Sequence, residues 1–167
     1  MTRGRHLTAL YPGSFDPVTL GHEDLAHRTL RVADRVVVAV AESSPDTKSP
    51  SFTIDERLEM LKEVFQGEDR IECVSFRGLL VDFVRARGAE LVVRGLRAVS
   101  DFEYEFQMAQ VNRELHPDLE FIFLMPATKL SFLSASLVRE VASLGGDVSS
   151  FVSTPVQRRL AERFRQG

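Results

Sequence analysis

The chain has 167 residues, 44% of them hydrophobic and 27% charged, which suits one globular domain with a sizeable core. Its 21 Lys and Arg against 24 Asp and Glu leave a net charge of −3, so no overall basic footprint exists for a nucleic acid or an anionic membrane. No apolar stretch approaches the roughly 18 residues of a membrane span, Met1 to His6 lacks a signal-peptide apolar region, and the lone Cys73 excludes an internal disulfide and reads as a buried core thiol suited to the cytoplasm.

Leu7 to Tyr11 predicts a short buried strand. Pro12 to Gly21 is a loop punctuated by two prolines and a glycine. A helix is predicted from about Gly21 to Ala33, with His22 in its first turn facing back toward the loop. Arg35 to Ala41 is a continuous β-branched run, the pattern of a strand covered on both faces. Glu42 to Ser51 is polar and carries Lys48. Thr53-Ile-Asp-Glu56 is a capping box opening a helix to about Phe65, which Gly67 ends. Arg70 to Phe76 is a third strand and Leu79 to Arg87 a third helix. Glu90 to Val93 is a fourth strand, followed at once by Arg94-Gly-Leu-Arg97. Ser100-Asp-Phe-Glu103 predicts a second capping box and a helix to about Leu115, stopped by His116-Pro117. Leu119 to Leu124 is the fifth strand. A polar, small-residue segment from Leu130 to Ser136 leads into a helix over Ala135 to Leu144. Thr154-Pro155 opens the last helix.

Strands alternating with helices predict an α/β fold: a single domain over residues 1–167 with a doubly wound, five-stranded parallel sheet and helices on both faces. In the Rossmann-like order 3-2-1-4-5, strands one and four are neighbours whose crossovers leave to opposite faces. That pair is the switch point where ligands bind. The loop after strand one, with Ser14 and His22, then faces the loop after strand four, with Arg94 and Arg97. Lys48, after strand two, lies near the same mouth. Two arginines, a lysine, a histidine and a helix start suit a polyanion. The chain has no Gly-x-x-x-x-Gly-Lys-(Ser/Thr) and no Gly-x-Gly-x-x-Gly, which argues against a P-loop ATPase and a nicotinamide dinucleotide site. His6, His27 and His116 lack ligand spacing. Phe102, Phe106 and Met108 read as core or subunit contacts. Asp16 reads as a loop Asp making an Asx-turn, or as a supporting residue of the site. Arg158, Arg159, Arg163 and Arg165 read as a solvated helix face, with an acidic partner as the alternative.

Thr19-Leu-Gly-His22 resembles the (His/Thr)-x-Gly-His signature of the nucleotidyltransferase α/β phosphodiesterase superfamily. Tyr11 to Pro17, Phe52 to Arg57, Val93 to Glu105, Gln107 to Gln110 and Ser131 to Val141 resemble one branch of it, the bacterial phosphopantetheine adenylyltransferase family. The resemblance implies transfer of AMP from ATP to 4′-phosphopantetheine, giving dephospho-coenzyme A and pyrophosphate, the penultimate step of coenzyme A synthesis. It implies His22, Lys48 and Arg94 as catalytic. For ATP it implies Ser14, Phe15, His22, Gly95, Leu96, Arg97, Glu105 and the segment Leu130, Ser131, Phe132, Leu133, Ser134, Ala135 and Ser136. For phosphopantetheine it implies Ser14, Lys48, Leu80 and Arg94. Many relatives carry Ser where Ala135 stands, which removes a hydroxyl but no helix-start amide. Mg²⁺ is expected on the ATP phosphates, with no dedicated protein metal site. A homohexamer, feedback by coenzyme A, a cytoplasmic location, and no nucleic-acid or membrane partner complete the implication. A relative of the same fold with another acceptor, such as nicotinamide mononucleotide, and a catalytically silent nucleotide binder are the competing readings. Retention of His22 and both arginines speaks against the silent binder.

Overall fold

The computed structural model describes residues 6–42 and 49–165. One parallel sheet runs in the order β3-β2-β1-β4-β5, as the alternating pattern implied. Its strands are β1 (Thr8–Gly13), β2 (Arg35–Ala41), β3 (Ile71–Phe76), β4 (Leu91–Gly95) and β5 (Glu120–Leu124). The helices are α1 (Leu20–Thr29), α2 (Ile54–Val64), α3 (Leu80–Arg87), α4 (Val99–Leu115), α5 (Ala135–Ser143) and α6 (Thr154–Phe164). A 3₁₀ turn over Thr128–Leu130 precedes α5.

β2 shows how the two layers are built. Successive strand residues point to opposite faces, so Val36, Val38 and Val40 join a core with Leu25 and Ala26 of α1, Met60 and Leu61 of α2, Val138 of α5 and Leu160 of α6. Val37 and Ala39 face the other way, against Val81 and Val84 of α3. Both faces are covered, which is why the run carries no polar residue between Val36 and Ala41. Cys73 is half-buried on β3, and burial pushes its thiol up to about 11.

Several boundaries depart from the sequence pattern, each for a local reason. β1 continues through Pro12 to Gly13. Its pairing with β4 stops at Leu10 and Val92, so the missing N–H of Pro12 forfeits no ladder bond there. β4 likewise takes in Arg94 and Gly95, which had been expected in the following loop. α1 ends at Thr29, whose hydroxyl donates to the Leu25 carbonyl, and a tight turn carries the chain to Ala33. α4 starts at Val99 after Ala98, earlier than the cap position expected at Ser100, and Asp101 accepts the Ala98 N–H at 3.3 Å. At α6 the cap position is Ser153, with Thr154 as the first helical residue.

The arginines of α6 are not an unpaired solvated face. Arg158 donates to Glu63 (2.9 Å), Arg159 to Glu59 (3.1 Å) and Glu63 (2.7 Å), and Arg163 to Glu56. All three acceptors lie on α2, so the acidic partner is a helix of the same chain.

Candidate active site

Thr19 closes the β1–α1 loop by capping α1. Its hydroxyl accepts from the His22 N–H (3.4 Å), and its own N–H donates to His22 Nδ1 at 3.0 Å. His22 thus completes a capping box in the place usually held by Glu. Because Nδ1 accepts a backbone N–H, the ring proton sits on Nε2, which no protein group engages among the described residues. Burial, then Arg97 and Arg94, push the imidazole down to about 4. At neutral pH His22 is an uncharged Nε2–H donor on the cleft wall. Its ring meets the edge of Phe15 at 5.0 Å between centroids, and Phe15 meets Tyr11 at 5.4 Å. Phe15 is buried at a left-handed φ of 47°, an unusual backbone for a bulky residue.

Arg94 reaches across the switch point from β4. Its fork engages both oxygens of Glu105 on α4, at 2.8 and 2.5 Å, and its remaining Nη1 donates to the Pro12 carbonyl at 2.7 Å. The two unusual loops therefore face each other. At Gly95 the sheet comes close to α1: a Cβ there would lie 2.6 Å from Leu25 Cδ1, so the leucine tip would have to shift. Arg97 Nη1 donates to the Leu133 carbonyl (3.1 Å), and its Nε lies 3.5 Å from Asp101, whose carboxylate also accepts the Arg97 N–H (3.2 Å).

The segment after β5 forms the third wall. Asp24 of α1 accepts the Ala127 N–H at 3.1 Å, and Arg28 donates to the Met125 carbonyl at 2.5 Å, pinning the entry. Leu130 and Leu133 anchor it in the core. The Ser134 hydroxyl caps α5 through the Leu137 N–H (3.1 Å), leaving the Ala135 and Ser136 amides as helix-start donors with no partner among the described residues. Asp16 makes no Asx-turn. It is fully buried, accepts the Ser51 and Phe52 N–H groups at 2.9 Å each, and lies 3.7 Å from Arg139 of α5.

Together these walls enclose a cleft of about 700 Å³. It wraps over the carboxyl ends of β1 and β4, from α1 and α5 on one face to α3 and α4 on the other. Of the expected residues, Ser14, Phe15, His22, Leu80, Arg94, Gly95, Arg97, Glu105, Leu130, Leu133, Ser134, Ala135 and Ser136 line it. Leu96, Ser131 and Phe132 do not. The Leu96 N–H bonds the Leu124 carbonyl, the Ser131 hydroxyl turns onto Thr128, and Phe132 lies exposed against Phe151. Lys48 lies outside the described residues.

The sequence reading missed one wall. Asp101, Tyr104, Met108 and Asn112 of α4 line the cleft with Glu105, and Arg139 lines it from α5. Their helical spacing of three and four was the available signal. Met108 faces the cleft, while Phe102 and Phe106 are about half exposed in the chain instead of lying in its core.

A parallel sheet opened at its switch point carries arginine, histidine and amide donors on both sides of the cleft, and residues 10–141 match the cytidylyltransferase-like family, which makes the chain a nucleotidyltransferase. A protein from Vibrio parahaemolyticus assigned as a nicotinate-nucleotide adenylyltransferase has the same fold, with a TM-score of 0.64 at 16% identity, covering 96% of each chain. The chain is 55% identical over 160 residues to the phosphopantetheine adenylyltransferase of Thiobacillus denitrificans, covering 96% of this chain and 99% of that one. It is 54% identical to that of Alkalilimnicola ehrlichii, covering 95% and 91%. The chain belongs to the phosphopantetheine adenylyltransferase family.

Proposed function

We propose that this chain transfers AMP from ATP to 4′-phosphopantetheine, forming dephospho-coenzyme A and releasing pyrophosphate. The observation that carries the reading is the two-sided cleft. One side presents His22, Arg97 and the Ala135 and Ser136 amides, which suit a triphosphate. The other presents Leu80, Phe76, Met108 and Tyr104 with Asn112, an apolar channel with one amide, which suits a pantetheine arm.

The nucleophile is a phosphate monoester, largely dianionic at neutral pH because its second pKa is about 6. It needs no strong base. It needs alignment with the α-phosphorus and relief of repulsion as two anions approach. The neutral His22 Nε2–H donates to an α-phosphate oxygen, where charge builds in the transition state. Arg97 and the α5 amides hold the leaving pyrophosphate. Arg94, kept in place by Glu105 and Pro12, offers its positive face to the acceptor phosphate, with Lys48 as its proposed companion. Glu105 also borders the ATP side.

Among the described residues no cluster of three or more His, Cys, Asp or Glu side chains could cage a cation. Mg²⁺ is therefore proposed to be held by the triphosphate oxygens, where it would neutralise charge on the leaving group. The exposed apolar residues Val99, Phe102, Phe106, Val111 and Leu115 on α4 support self-association, for which a homohexamer is proposed. Coenzyme A carries the same pantetheine arm and adenylate, so feedback at this cleft is proposed. No helix among the described residues is long and apolar enough to cross a membrane, and a cytoplasmic location is proposed with the reaction.

The test is pyrophosphate release from ATP, measured with 4′-phosphopantetheine and, separately, with nicotinamide mononucleotide. Release with the first alone is expected. Release only with the second would replace the acceptor assignment.

A further inference from the structure

Arg57, at the start of α2, is 3% exposed and lines no part of the cleft. No carboxylate lies within ion-pair distance of it among the described residues. Its Nη1 donates to the Ser14 carbonyl at 2.9 Å and its Nε to the Thr53 carbonyl at 3.3 Å. Asp16 is the charge that compensates it from a distance, while burial presses its pKa down. A buried guanidinium spent on two carbonyls is an expensive way to fill space, and an apolar side chain of similar volume would serve stability as well or better. Its placement explains the expense. Ser14 stands on the cleft, and the next residue, Phe15, turns the chain at φ 47° and packs against His22. That unusual backbone persists only if its neighbours hold it. Phe15 is held on one side by the Tyr11 and His22 rings, and the Ser14 carbonyl is held on the other by Arg57.

We propose that Arg57 is a positioning residue for nucleotidyl transfer: it fixes the Ser14 carbonyl and so sets the Ser14–Phe15 turn against which His22 and the reacting phosphates align. Asp16 completes the same brace. Its carboxylate holds the Ser51 and Phe52 amides, so the turn, the segment before α2 and Arg57 form one unit. A remote residue acts this way because an ångström of misplacement at the reacting atoms can cost about a hundredfold in rate.

The inference rests on the adenylyltransferase reading, and wild-type pyrophosphate release in the same assay separates the failure of one from the failure of the other. Arg57→Lys keeps the charge and loses the fork; Arg57→Met keeps the bulk and loses both. Each is to be compared with wild type for near-UV circular dichroism, Tm, kcat and KM for both substrates. The expected result is a folded Arg57→Lys protein with kcat lowered about ten- to a hundredfold and both KM values within about threefold of wild type, the mark of an interaction expressed in the transition state. A folded Arg57→Lys protein with kcat within about twofold of wild type would overturn the proposal, as would a loss carried by KM with kcat unchanged. Failure of both Arg57 variants to fold would assign the residue to stability and overturn it too.

Discussion

Two arginine-rich regions of this molecule spend the same side chain differently. At the cleft, Arg94, Arg97 and Arg139 each donate to a main-chain carbonyl of another segment: Pro12, Leu133 and Asp16. Along α6, Arg158, Arg159 and Arg163 donate to carboxylates of α2. The first set joins segments that share no strand pairing at the point of contact. The second links two helices whose backbones are already satisfied. Exposed ion pairs of that kind are worth about 0–1 kcal/mol each. A guanidinium fork on a partly buried carboxylate or carbonyl sets geometry as well as energy. The contrast teaches that arginine count says little, whereas the acceptor says whether the residue builds a site or staples a surface.

The comparison breaks most visibly at His22, which burial, reinforced by the cleft arginines, keeps neutral. His22→Ala should fold and lose about 10²–10³ in turnover, the cost of removing one preorganised donor at a developing charge. A helix start offers only about 0.3–1 kcal/mol and could not replace it. Steady-state kinetics at saturating ATP is the check; retention of more than about a tenth of wild-type turnover would return His22 to a capping role.

Arg94→Ala probes the same side through stability. It leaves Glu105 unpaired in a mostly buried place, and a loss of about 3 kcal/mol is expected, the lower end for an orphaned buried partner. Urea unfolding measures it. The same variant should weaken phosphopantetheine binding more than ATP binding, by titration of each ligand; the reverse order would move Arg94 to the nucleotide.

The depressed His22 pKa gives a smaller, pH-dependent signal. Above its ordinary value of 6.5 the ring is neutral folded and unfolded, so it contributes no slope. Between 6.5 and about 4 the unfolded chain takes the proton and the folded chain does not, so stability falls as pH falls. Below about 4 the slope from this group ends. Comparing wild type with His22→Asn across that window should show a difference of at most about 1.4 kcal/mol per pH unit. Parallel curves would mean that His22 is not buried neutral.

The smallest effect is expected on α6. Arg159 bridges Glu59 and Glu63, and Arg159→Ala should cost about 0.5–1 kcal/mol, less in high salt, with turnover within about twofold of wild type. A loss of activity there without a loss of stability would make the helix pair part of the site and erase the distinction.

By itself the sequence determined the element order, the parallel sheet and the meeting of the two unusual loops. Those follow from local signals: hydrophobic period, Gly and Pro punctuation, and the rule that crossovers reverse beside strand one. The Thr-x-Gly-His string and Arg-x-x-Arg were legible for the same reason, since each occupies one turn at a strand end. Local rules also misled at α4, which starts at Val99, ahead of the cap position expected at Ser100, and where Asp101 accepts the Arg97 and Ala98 N–H groups. Only the tertiary structure decided which acceptor each arginine found. Glu63 lies 96 residues from Arg159, and Pro12 lies 82 from Arg94. No periodicity spans such distances. They meet because α2 and α6 cover the same face of the sheet, and because β1 and β4 part beyond Leu10 and Val92, leaving a carbonyl that a side chain, not a strand, must satisfy.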